Sequence, residues 1–134
     1  MPETPSAPQG TTGLAPNVAG ALSYLLGPIT GVLFLVLEKE NRFVRFHAAQ
    51  SIGVGLVLFA ANIVVMVLSG ILKYIPILGF LVSVALGLGL SLVSFVLWLY
   101  LMYRAWQGDE WEVPVIGAQV RSYLAGGTAV VPHD

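Results

Sequence analysis

The chain has 134 residues, enough for one domain, with 57% apolar and only 10% charged side chains and a net charge of −1. A soluble domain carries about 25% charged residues, so water is not the solvent this composition suits. The near-neutral balance leaves no electrostatic footprint for nucleic acid, and the lack of cysteine removes disulfide frameworks, thiolate metal sites and cysteine nucleophiles together.

Residues 1–16 are rich in Pro, Thr, Ser and Gly and hold no Lys or Arg. They lack the basic n-region of a signal peptide and predict a flexible tail. The first apolar run, NVAGALSYLLGPITGVLFLVL at 17–37, is uncharged. At the helical rise it reaches about 31 Å, close to the hydrocarbon thickness of a bilayer, and so predicts a span. Pro28 should kink that span, with Ser23 and Thr30 near enough to help satisfy the freed backbone groups. Ala19, Ser23, Gly27 and Gly31 recur every four residues and would open a groove for a neighbouring helix.

Between this run and the next lies a polar stretch, ENRFVRFHAAQ, at 40–50. Asn41 suits the cap of a second helix, Phe43 and Phe46 suit an interface, and Lys39, Arg42 and Arg45 suit a lipid-headgroup or docking loop. Glu38 and Glu40 lie beside Lys39 and Arg42, where local ion pairing offsets part of their desolvation. The second span is expected at 44–70. On its face His47, Gln50, Ser51, Gly55 and Asn62 form a polar stripe directed at other helices, because lipid offers polar groups no partners. A cofactor ligand at His47 is the sharper alternative to interhelical hydrogen bonding, but one histidine without cysteine is too small a ligand set for a structural metal.

YIPILG at 74–79 predicts a turn, with Pro76 at the start of a third span at 77–103 that must tilt or enter the headgroups at its length of about 40 Å. Gly79, Ser83, Gly87 and Ser91 give it a second four-residue rhythm for helix packing. Asp109, Glu110 and Glu112 make a small acidic cluster that reads as a solvated face, with weak cation binding as the alternative. Ile116, Val120, Tyr123 and Leu124 then follow helical spacing, so 113–124 predicts a short interfacial amphipathic helix before a flexible tail at 125–134.

The expected fold is therefore all-α and integral to the membrane, with three transmembrane helices in a domain over 17–124. Lys39, Arg42, Arg45, Arg104 and Arg121 would share one side against Lys73 on the other. The positive-inside rule then predicts a multi-pass cell-membrane protein with its N-terminus outside and its C-terminus cytoplasmic. Trp98, Tyr100, Tyr103, Trp106 and Trp111 crowd the exit of the third span, where amphipathic rings favour an interface.

Catalytic motifs are missing. The glycines of ALGLGLS at 85–91 lack a phosphate-loop lysine, no serine has a nucleophile-elbow context, and the spans hold no carboxylate or lysine pair for a proton relay. No enzyme activity and no cofactor are expected.

GLAPNVAGALSYLLGPITG, LEKENRFVRFHAAQS and YRAWQGDEWEVPVIGAQ together resemble the DUF4870 family of small membrane proteins, related to the Tic20-like family, over about residues 13–120. Magnetosome membrane proteins of the MamF and MmsF type are also similar. The resemblance implies an integral membrane protein of about three helices without an established activity. Tic20 implies a protein-import channel component, and the MamF type implies an influence on magnetite crystal growth. The leading expectation is a non-enzymatic scaffold in the lipid bilayer, assembling as a homo-oligomer or in a membrane-protein complex. The alternative is a subunit of a pore or protein-translocation complex, with Ser51, Gly55 and Asn62 lining a polar path.

Overall fold

The structure, a computed structural model, describes residues 12–125. The terminal stretches 1–11 and 126–134, most of the two expected tails, lie outside the described residues. Five helices follow in chain order: α1 (Pro16–Leu22), α2 (Pro28–Leu37), α3 (Arg42–Leu72), α4 (Pro76–Trp106) and α5 (Ile116–Leu124). No strand occurs among the described residues.

The two long helices set the frame. Each has 31 residues, about 46 Å at the helical rise, and each is long and apolar enough to cross a membrane. Only 11% of the most apolar stretch of α3 and 0% of that of α4 is buried inside the protein. A soluble core helix would be covered; here Phe59, Met66, Ile77, Phe80 and Leu88 point outward, more than half exposed. Hydrocarbon is the solvent that suits such a surface.

α3 and α4 form an antiparallel hairpin across the short turn Lys73–Ile75. Pro76 sits in the first turn of α4, where its missing N–H has no helical acceptor to lose. Gly79 makes the tight return possible. A Cβ there would fall on the Leu72 carbonyl, so only glycine lets the helices diverge this closely from the turn.

The first apolar run corrects the expectation of three spans. It is not one kinked helix over 17–37 but two short helices separated by a turn through Ser23–Gly27. Pro28 opens α2 rather than bending a longer helix. Gly27, at φ +63 and ψ −130, takes a conformation open in practice to glycine, and this reverses the chain. Thr30 holds the turn: its hydroxyl donates to the Ser23 carbonyl at 3.0 Å and accepts from the Leu26 N–H at 3.1 Å. Ser23 Oγ donates to the Ala19 carbonyl at 2.9 Å.

With 10 residues, α2 is about 15 Å long, half a bilayer. It runs back alongside α3, from Pro28 beside Gly55 to the Leu35 carbonyl, which accepts from Arg45 Nη1 at 2.9 Å. α1 packs against α3 and α4. The α1–α2 pair is thus a re-entrant hairpin that enters and leaves at one end of the bundle. Thr12 donates through both its N–H and its hydroxyl to Glu38, and Asn17 donates to the Trp106 carbonyl at 3.1 Å. The start of the described chain, the 38–41 bend and the end of α4 therefore share one end, the proximal end.

The proximal halves of α3 and α4 are wrapped by α1, α2 and α5. Ala21, Tyr24, Val54, Leu101, Ala105 and Val113 form one buried cluster, and Ala19, Phe34, Val44 and Ala48 another. The distal halves continue as a bare two-helix stem.

Candidate functional site

The polar residues of α3 cluster where α1, α3 and the 109–113 segment meet. Asn41 caps α3, accepting from the Val44 N–H at 3.2 Å. One turn on, His47, Gln50 and Ser51 are all buried. His47 Nε2 lies 2.8 Å from the Asp109 carbonyl oxygen, an acceptor only, so Nε2 carries the proton. Nδ1 then accepts from the Tyr24 hydroxyl at 2.7 Å. Tyr24 in turn accepts from Gln50 Nε2 at 2.9 Å, which also donates to the Trp111 carbonyl at 2.9 Å. Gln50 Oε1 accepts the Val113 N–H at 2.9 Å. Trp98 Nε1 closes the far side by donating to the Tyr24 carbonyl at 2.7 Å. Phe43 and Phe46 meet the His47 ring edge-on, at centroid distances of 4.6 and 5.2 Å.

Every side-chain nitrogen and oxygen of Tyr24, His47 and Gln50 has a partner. A half-satisfied polar network in an apolar interior is costly, whereas a complete one fixes a single arrangement. The junction ties the irregular segment 109–113 to α3 and α1 through backbone groups that would otherwise lie buried without partners. Both ring nitrogens of His47 are occupied, which leaves no lone pair for a metal or haem. No group of three or more metal-ligating side chains occurs among the described residues.

The rest of the predicted stripe departs from this cluster. Ser51 Oγ donates to the Gly27 carbonyl at 2.8 Å, and Gly55 is covered by the Pro28 ring. Asn62 is exposed and donates to the Leu58 carbonyl of its own helix at 2.8 Å. A small pocket of about 140 Å³ lies between Tyr24, Pro28, Ser51 and Trp98.

The break at Gly27 divides the first small-residue series between two helices. Ala19 and Ser23 are buried against the bundle, and Gly31 lies under α3, where a Cβ would meet the Ala48 carbonyl at 2.8 Å. In the second series Gly79 is buried at the turn, Ser83 and Gly87 are half-buried and Ser91 is exposed. A Cβ at Gly87 would meet nothing.

At the proximal end Lys39, Arg42, Arg45, Phe46, Glu110 and Arg121 line an open cleft of about 450 Å³. The acidic cluster is divided among arginines: Arg104 pairs with Asp109 at 3.5 Å, and Arg121 pairs with Glu110 at 3.5 Å and with Glu112. Arg121 also lies over the Phe46 ring, 4.4 Å from its centroid. α5, expected at the membrane surface, packs Val120 against Phe46 and Ala49 of α3.

Sequence reasoning missed Tyr24, Arg121 and the backbone groups of 109–113 as members of these sites. Tyr24 carried a signal, as the one hydroxyl-bearing ring in an apolar run. The carbonyls carried none.

The family profile of the magnetosome magnetite crystal formation proteins, the MamF/MmsF group, matches residues 11–120. The chain belongs to this family. It is also similar to a UPF0132 membrane protein of Methanocaldococcus jannaschii, 47% identical over 83% of this chain and 90% of that one. A UPF0132 membrane protein of Archaeoglobus fulgidus is 44% identical over 82% of this chain and 96% of its own length. No solved structure matches. This member of the MamF/MmsF family is a helical membrane protein, and the matched region spans all of α1–α4 and reaches into α5.

Proposed function

We propose that this protein is a non-enzymatic membrane scaffold of the cell membrane that assembles with itself or a partner through its two-helix stem, with its arginine-bearing end in the cytoplasm. The observation that carries the reading is the division of labour along α3 and α4. The buried His47 and Gln50 of the proximal half are engaged with Tyr24 and with main-chain groups in one junction. The distal half offers open, flat surface instead: a Cβ at Gly70, Gly87 or Gly89 would touch nothing. Lipid tails solvate leucine as well as a helix does, so membrane helices associate where small residues permit close backbone approach.

Lys39, Arg42, Arg45, Arg104 and Arg121 at the proximal end against Lys73 at the distal turn favour a cytoplasmic proximal end. Because the α1–α2 pair is re-entrant, the described N-terminal segment lies on that side too. The pore or translocation reading that the Tic20-like resemblance implies finds less support, since Pro28 covers Gly55 and Asn62 faces outward. A role in magnetite growth, as the family description suggests, finds little in acidic residues held by Arg104 and Arg121.

The test is the assembly size of the full chain in mild detergent, measured by light scattering, for the native protein and Gly87→Leu. A smaller assembly in the variant is expected. An unchanged size removes the stem as the interface.

A further inference from the structure

The cleft at the proximal end is more basic than folding requires. Arg121 is engaged by Glu110 and Glu112, and Arg45 by the Leu35 carbonyl. Lys39 and Arg42 have no ion-pair or hydrogen-bond partner among the described residues. Four cations thus face one lining carboxylate, Glu110, across about 450 Å³. That is room for a phosphate ester, with charge left over to hold one.

The floor of the cleft gives the second observation. Phe46 forms it, and one turn deeper along α3 an apolar groove of about 530 Å³ opens between α3 and α5, walled by Ile52, Leu56, Val57, Ile116 and Tyr123. Phe46, Ala49 and Val120 belong to one packed cluster that joins cleft and groove. The groove runs from the basic end toward the bilayer interior, along a helix whose next turns are lipid-facing. A polar anionic head over a hydrocarbon chain is the one chemistry that fills both parts in this order.

We infer that the α3–α5 face binds one acidic glycerophospholipid, its phosphate between Lys39, Arg42 and Arg45 and one acyl chain in the groove beside Leu56. Juxtamembrane Lys and Arg attract anionic headgroups, and a built cleft converts that general attraction into a site. The inference does not depend on self-assembly through the stem, and the experiment below reads lipid, not assembly size.

The full chain, purified and delipidated in neutral detergent, is titrated with phosphatidylglycerol or phosphatidylcholine and examined by native mass spectrometry. One phosphatidylglycerol per chain is expected, held about thirtyfold more tightly than phosphatidylcholine, the ratio two surface cations supply. Lys39→Gln with Arg42→Gln should bring the two lipids within about twofold of each other. Leu56→Trp, a change on an exposed position, should weaken retention of both. Inorganic phosphate at the lipid's concentration should not compete, since it lacks the chain. Arg42→Lys, which keeps the charge, should retain the preference and serves as the control should the double variant not fold. Equal retention of the two lipids by the native chain overturns the inference. So does an undiminished preference in the double variant or, if that variant does not fold, a lost preference in Arg42→Lys. Displacement by phosphate alone points to a simple anion site and overturns it as well.

Discussion

His47 Nε2 donates to the backbone carbonyl of Asp109 at 2.8 Å, across a sequence separation of 62 residues. This bond, with the Gln50 contacts to Trp111 and Val113 beside it, is what anchors the chain after α4 to the start of α3. It makes the polar stripe a structural clasp whose loss can be measured.

Gln50→Leu removes a side chain that serves Tyr24, the Trp111 carbonyl and the Val113 N–H. Each buried group left unpaired costs about 1–3 kcal/mol, so the variant should lose roughly 3 kcal/mol or more. Thermal unfolding in detergent reads this as a clear drop in Tm. Asn62→Leu, which removes only a bond to its own exposed helix, should change stability by less than about 0.5 kcal/mol.

The contact of Thr12 with Glu38 fixes a topology that labelling can check. Single cysteines at Thr12, Lys39 and Lys73 have no native thiol background. An impermeant thiol reagent added to intact cells should modify the Lys73 position and spare the other two. Labelling at Thr12 together with protection at Lys39 would mean that the first apolar run crosses the bilayer after all.

Gly79 and Gly87 are both helical glycines of α4, but they are not equivalent. Gly79→Ala pushes a methyl group into the Leu72 carbonyl and should cost about 1–3 kcal/mol through overpacking at the turn. Gly87→Ala meets open space and should be neutral or slightly stabilising for the isolated chain. Parallel melts of the two variants give the comparison.

Val115 has φ 71 and ψ −51, with the Ile116 N–H donating to the Pro114 carbonyl at 2.9 Å. This is a γ-turn of the strained hand, an unusual place for a β-branched residue. Because Val115 is 78% exposed, little packing is lost on removing it. Val115→Gly should therefore raise stability by about 1 kcal/mol, read as a higher Tm.

Hydropathy reveals that the 17–37 run belongs in an apolar medium but not how it lies there. A full crossing and a re-entrant pair need the same side chains. What separates them is local: Gly27 before Pro28 lets the backbone reverse, and Ser23 and Thr30 satisfy the groups that the reversal exposes. Those residues also fit a kink, so the sequence supports either reading. The junction is half legible for a related reason. His47 and Gln50 stand out as polar groups in an apolar stretch, yet most of their partners are main-chain atoms of Asp109, Trp111 and Val113, and a carbonyl has no letter of its own. The basic cleft is similar: Arg121 joins Lys39 and Arg42 only because α5 folds back onto α3.

The same-side entry and exit of the α1–α2 hairpin has a consequence for how the chain reaches its place in the bilayer. Among the described residues, Lys73 is the sole charge at the far turn; the other ionised side chains gather at the opposite end. In the orientation proposed above, an insertion machine carries the three-residue connector Lys73–Ile75 and its one ammonium group through the oily layer. The short hairpin can then slot in from the side where synthesis occurs.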